Sequence, residues 1–219
     1  MPERIFLAGA SGAVGRRLSL LLVADHHHVV GTTRSADKGA ALATLGLEPV
    51  VVDVFDATAL RHAVVAARPD VVIHQLTDLP QALNPTELPA ALLRTARLRD
   101  EGTRNLIAAS VAAGVQRMVA QSIAFSIDDS LLAFEQQVHD APLAGLVLRY
   151  GQFYGPGTGF DVANPTPPTV HVDAAADAAR RAISRGSAGV YVVADAATTT
   201  SSDRAIRELG WDAAFRIAP

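Results

Sequence analysis

Short apolar runs recur along the first two-thirds of the chain, most of them unbroken by polar positions. They fall near Ile5–Ala8, Val29–Gly31, Pro49–Val52, Val71–His74, Met118–Ser122 and Leu146–Arg149. Continuous rather than alternating runs predict parallel strands covered on both faces. The stretches between them repeat their apolar positions at helical spacing. Val14, Leu18, Leu21 and Leu22 share one face of the first. A second follows Ser35, and a third starts after Asp56, a residue suited to cap it, with Leu60 and Val64 turned inward. A longer helix is predicted from about Pro89 to Ala113, closed by Gly114. Another follows Asp128, with Leu131, Leu132, Glu135 and Val138. Strands alternating with helices predict an α/β fold built on a doubly wound parallel sheet. Such sheets bind ligands at the carboxyl ends of their strands, beside the point where the strand order reverses.

The last third reads differently. Gly155-Pro156-Gly157-Thr158-Gly159 and Asn164-Pro165-Thr166-Pro167-Pro168 mark loops. A helix over about Ala174–Ser184, a strand over Val190–Val193 and a helix over about Ser202–Leu209 follow, with Ala196-Ala197-Thr198-Thr199-Thr200 as a loop. His26-His27-His28 falls where the first helix gives way to the second strand. Consecutive side chains there diverge, so packing at a strand start is favoured over a metal site.

The strongest local signal is Gly9-Ala10-Ser11-Gly12-Ala13-Val14-Gly15, set between the first strand and the first helix. A turn of this kind gathers backbone N–H groups at the positive end of a helix, which suits a diphosphate. Gly9 allows the sharp turn, Gly12 leaves room where phosphate approaches the backbone, and Gly15 lets helix and strand pack closely. Dinucleotide binding is therefore expected, with Gly9, Ser11, Gly12, Ala13, Val14 and Gly15 in contact. The alternative is a merely structural turn.

Composition narrows the picture. The chain has 219 residues, 49% of them hydrophobic, enough for one sizeable core. A formal charge of −3 gives no reason to expect nucleic acid or an anionic membrane. There is no cysteine, hence neither disulfide nor thiolate chemistry. The N-terminus lacks a signal-peptide apolar stretch and no run is long enough to span a bilayer, so a cytoplasmic location is expected. Lys38 is the only lysine, against eighteen arginines.

Together these landmarks resemble the short-chain dehydrogenase/reductase superfamily, in its extended and atypical, NAD-dependent epimerase/dehydratase-like branch. Beyond the glycine turn, the resemblance is carried by Val30-Gly31-Thr32-Thr33-Arg34, Asp53-Val54, Val72-Ile73-His74-Gln75-Leu76-Thr77 and Glu101-Gly102-Thr103-Arg104-Asn105-Leu106. Leu148-Arg149-Tyr150-Gly151-Gln152-Phe153-Tyr154-Gly155-Pro156-Gly157, Val170-His171-Val172-Asp173 and Arg207-Glu208-Leu209-Gly210-Trp211 extend it to nearly the whole chain. It implies a Rossmann-like domain over residues 1–150 and a short C-terminal substrate-binding region over 151–219, packed on it. It also implies an oxidoreductase or epimerase/dehydratase acting on a small carbonyl, hydroxyl or sugar-like compound, and a homodimer through the long helices. Asp53 and Val54 would meet the adenine, although Asp53 also suits a turn or a cap. Gln75, Leu76 and Thr77 would run beneath the nicotinamide ribose, with His74 packed in the sheet.

The second strand ends in Thr33 and Arg34 with no acid. A carboxylate there would hold a ribose 2′-hydroxyl, whereas a guanidinium grips a 2′-phosphate, so NADP is expected over NAD. An ordinary solvated arginine is the alternative.

The family's usual catalyst is a Tyr and a Lys four residues apart, with a Ser or Thr at the end of the fifth strand. Ser122 resembles that serine. The pair itself is absent: with Glu135 matched to the acid that follows the lysine, Ile127 and Leu131 stand in its place. Two readings follow. One is an enzyme that uses Ser122 with another acid, chosen among Tyr150, Tyr154, His139 and His171. The other is an NADP-binding redox sensor or regulatory module without catalysis.

Overall fold

The structure, a computed structural model, describes residues 1–80, 84–160, 166–196 and 201–218. Its strands are β1 (Arg4–Ala8), β2 (His28–Thr33), β3 (Glu48–Val51), β4 (Val71–His74), β5 (Arg117–Ile123), β6 (Ala144–Tyr150), β7 (Gln152–Tyr154), β8 (Thr169–His171) and β9 (Gly189–Val193). Seven of them form one sheet in the order β3-β2-β1-β4-β5-β6-β9, parallel at every pairing. The order runs outward from β1 to β3, then restarts on the other side of β1 at β4. That reversal is the switch point, and it opens a crevice at the carboxyl ends of β1 and β4. β7 and β8 form a separate parallel pair beside it.

The helices are α1 (Ala13–Ala24), α2 (Ala36–Thr44), α3 (Ala57–Ala67), α4 (Leu88–Arg97), α5 (Thr103–Ala112), α6 (Asp129–Asp140) and α7 (Val172–Ala182). They cover both faces of the sheet, as the unbroken apolar strands require. On one face Leu18 and Leu22 of α1 belong to a buried cluster with Ala175, Ala178 and Ala179 of α7. The small side chains of α7 let the two helices approach closely. On the other, Leu60 and Val64 of α3 meet Leu106 and Ala109 of α5. Asp56 caps α3 by accepting from Ala59 N–H at 2.9 Å, and Asp128 caps α6 through Leu131 N–H at 2.8 Å.

Two expectations need correction. The long helix predicted to Ala113 is two α-helices joined by a π-helical turn, Leu98–Gly102. Such a turn inserts one residue into the helical repeat, and the spacing of apolar residues gives no sign of it. The final predicted helix is mainly a π-helical turn, Ala205–Leu209.

The last third also completes the main sheet: β9 pairs with β6, and Trp211 donates its indole N–H to Ala174 O at 2.8 Å. The loop expected at Ala196–Thr200 lies outside the described residues beyond Ala196, as does Asn164-Pro165. His27 Nδ1 accepts from Glu3 N–H at 2.9 Å while His28 Nε2 lies 3.3 Å from Glu48. Among the described residues no helix is long and apolar enough to cross a membrane.

Candidate active site

The crevice at the switch point is a cavity of about 860 Å³. Its floor is the glycine turn. Gly9 has φ +90°, and a Cβ there would stand 2.6 Å from the Gln75 carbonyl oxygen. A Cβ on Gly15 would come within 2.2 Å of Gly9 O, so the first helix can sit this close to β1 only with glycine there. Gly12 is different: its Cβ would meet only Gly9 O, at 3.4 Å, and its outer side faces the cavity. No side chain caps α1. The uncapped helix start, Ala13-Val14-Gly15, lines the cavity together with Ser11. An uncapped, glycine-floored helix N-terminus is a cradle shaped for phosphate.

One end of the cavity is made by β2, β3 and the loops after them. Thr33, Arg34, Asp53 and Val54 line it. Asp53 accepts from Phe55 N–H at 3.0 Å, which holds the turn after β3. Arg34 is well exposed and lies 3.4 Å from Asp78, a carboxylate that also accepts from Arg94 Nε at 2.9 Å. Lys38 and Ser35 line the same end. The sequence marks Lys38 only as the sole lysine, with no place in the site. Its signal was its place one helical turn beyond Arg34, at the start of α2.

The other end is made by β4, β5 and the chain after β6. Gln75, Leu76 and Thr77 line it, with Gln121 and Ile123 from β5, Phe125 just after that strand, and Phe153 and Phe160 from the chain after β6. Gln75 is only 5% exposed, and although its amide lies near the Tyr150 hydroxyl, neither amide atom makes a well-formed hydrogen bond within the protein. A buried, unsatisfied amide on a cavity wall is costly unless a ligand engages it. Beside it His74 is buried, its Nδ1 accepting from Leu76 N–H at 3.2 Å and its Nε2 lying 3.0 Å from Thr103 Oγ1. Burial lowers its pKa to about 4, so the ring is neutral and fixes the path of the chain from β4 into the cavity.

All the residues singled out for a cofactor thus line one cavity, from Gly9 to Thr77. The candidate catalytic residues do not. Successive residues of a strand face opposite ways, and on β5 it is Gln121 and Ile123 that face the cavity. Ser122 points away, is 1% exposed and donates to Glu135 at 2.6 Å. Glu135 is also gripped by Arg149, through Nε at 2.8 Å and Nη2 at 2.5 Å. Tyr150 is fully buried, and its hydroxyl donates to Ala175 O at 3.2 Å. Burial pushes its pKa far above the ordinary phenol value, only partly offset by Gln75. Tyr154 packs edge-on against His171, 5.1 Å between ring centres, outside the cavity. His171 caps α7 by accepting from Asp173 N–H at 3.1 Å, and His139 stands exposed at the end of α6. Among the described residues lining the cavity there is neither a tyrosine nor a histidine.

Sequence and fold comparisons agree with this geometry. A family model described as NAD(P)H-binding matches residues 9–148. A 3-diazoavenalumate denitrifying reductase from a Streptomyces species is 40% identical over 183 residues, covering 72% of this chain and 58% of that protein. The chain thus spans little more than half the length of that relative. Among solved structures, the Bordetella bronchiseptica enzyme WbmG in complex with NAD and UDP superposes with a TM-score of 0.76 at 16% identity, over 99% of this chain and 91% of that one. A UDP-glucose 4-epimerase from Thermotoga maritima, solved with UDP-glucose, gives 0.74 at 15% identity, over 97% and 94%. At such identities these structures speak for the fold, which is the Rossmann-like α/β fold.

Proposed function

Because the chain belongs to the NAD(P)H-binding family, we propose that it is a nicotinamide-dependent reductase whose substrate accepts hydride without needing a proton from the protein. One observation carries the reading: among the described residues, no tyrosine or histidine lines the cavity where a substrate would meet the cofactor. Reduction of a carbonyl creates an alkoxide and calls for a positioned acid, worth roughly 10²–10⁴-fold. An aryl diazonium ion calls for none. Hydride forms the new aryl C–H bond, the C–N bond breaks, and its electron pair leaves with N₂. The Streptomyces relative is named as a denitrifying reductase of a diazo compound, which favours this class of acceptor.

The residues fit the cofactor. Gly9, Gly12 and the uncapped start of α1 would hold the diphosphate, Asp53 and Val54 the adenine, and Gln75, Leu76 and Thr77 the nicotinamide ribose. Bound there, the reduced nicotinamide supplies hydride. Arg34, Lys38 and Ser35 at the other end favour NADP, because two cations and a hydroxyl suit a 2′-phosphate and no carboxylate stands at the end of β2.

The test is reduction of a simple aryl diazonium salt with NADPH deuterated at C4, read by mass spectrometry of the arene. Deuterium on the carbon that carried nitrogen, lost with the Gly12→Val variant, is the expected result. Faster reduction of aldehydes than of the diazonium salt would overturn the proposal, and NADPH binding without reduction of either would return the sensor reading.

A further inference from the structure

Arg99 sits in the π-helical turn between α4 and α5, and its side chain lines the cavity at the β4–β5 end. It is half-buried, and no hydrogen bond or ion pair joins it to any of the described residues. Among the described residues, the acids that act on it electrostatically are engaged elsewhere. Asp128 caps α6, and Glu135 is bound by Arg149 and Ser122. Removal from water pulls the guanidinium below its ordinary pKa, an effect these two distant carboxylates only partly offset. A guanidinium remains charged in any such setting, so its five N–H donors are held in a sheltered place with no acceptor among the described residues.

The cofactor offers no anionic partner at this end. Its anionic groups are the diphosphate, placed by the glycine turn, and the 2′-phosphate of NADP, placed at Arg34 and Lys38. The nicotinamide is a neutral or cationic ring. Phe125, Phe153 and Phe160 line the same cavity and give it flat apolar walls. We propose that Arg99 is the anchor for a carboxylate on the substrate, and that the site takes aryl carboxylic acids. A planar carboxylate matches the guanidinium fork, and the aryl body would lie among the phenylalanines. The inference rests on the reductase reading only for the end of the cavity that the substrate takes.

The experiment is equilibrium binding to the NADPH-loaded protein, with cinnamate and its uncharged isostere cinnamamide as probes. Cinnamate is expected to bind the wild type more tightly than cinnamamide by about tenfold or more. Arg99→Met should remove that advantage and Arg99→Lys should restore part of it, while NADPH affinity, measured on the same samples, stays unchanged and shows that the variants are folded. Equal affinities for acid and amide, or no binding of cinnamate to the wild type, would overturn the proposal. So would a parallel loss of NADPH affinity, which would assign Arg99 to the cofactor. A chain that reduces no diazonium salt yet prefers cinnamate through Arg99 refutes the proposed reaction and leaves this anchor standing.

Discussion

The Ser122 hydroxyl lies 2.6 Å from the Glu135 carboxylate, on the face of β5 turned away from the cavity. Ser122, Glu135 and Arg149 therefore form a buried polar cluster that fastens α6 to β5 and β6. Ser122→Ala leaves one oxygen of Glu135 short of a donor and should cost about 1–2 kcal/mol. Thermal unfolding should shift down by a few degrees while NADPH affinity and turnover remain near wild type. A hundredfold fall in turnover with normal stability would mean that Ser122 reaches the reacting atoms.

The glycines of the turn should separate binding from folding. Gly12→Val places its side chain in the cavity and should weaken NADPH by about a hundredfold or more, since it displaces several charge-assisted bonds of about 1.5–3 kcal/mol each. Its melting temperature should barely move. Gly9→Ala demands a positive φ and drives Cβ against the Gln75 carbonyl, so it should lose about 3 kcal/mol of stability. Calorimetric titration together with thermal melts distinguishes the two; equal destabilisation by both would refute the division of roles.

Among the described residues Arg34 is held only by an exposed contact to Asp78, of the kind that contributes little. It is free to turn to a 2′-phosphate. Arg34→Ala should weaken NADPH by about 1.5–3 kcal/mol and leave NADH nearly unchanged. Lys38→Ala should act in the same direction, and both losses should shrink in high salt. Matching losses for NADH would assign these residues to structure.

His74 gives the chain a pH dependence whose sign follows from its burial. The ring titrates near 6.5 when unfolded and near 4 when folded. Below 6.5 the unfolded chain binds a proton that the folded one refuses, so stability is complete above 6.5 and drains away as pH falls toward 4. The gap corresponds to about 3 kcal/mol. Urea midpoints at pH 7 and pH 4.5 should differ more for the wild type than for His74→Asn. An equal difference in both would move the effect to other groups.

The residues expected to hold a cofactor could be picked out as one group because their signals are local. Glycine spacing, an apolar strand before it and a helix after it are all read from one short stretch, and chain order alone places Asp53 and Gln75 at strand ends. The substrate half was not legible in this way. Whether Ser122 or its neighbours face the cavity depends on a one-residue phase in β5, and a serine at a strand end looks the same either way. Lys38 comes to the cavity only because α2 returns to the end of β2. Arg99 is turned inward within a π-helical turn that apolar periodicity conceals. That periodicity predicted one continuous helix from about Pro89 to Ala113, not the two that this turn joins.

The pairing of α1 with α7 sets a timetable for synthesis. The apolar face of residues 13–24 is finished early, yet its cover, residues 172–182, emerges some 150 residues later. At ribosomal rates of roughly 5–20 residues per second, that face waits for roughly 7–30 seconds. The nascent sheet likewise keeps β6 as an open edge until β9 arrives. The half of the protein that carries the glycine turn thus leaves the ribosome before its own core is closed.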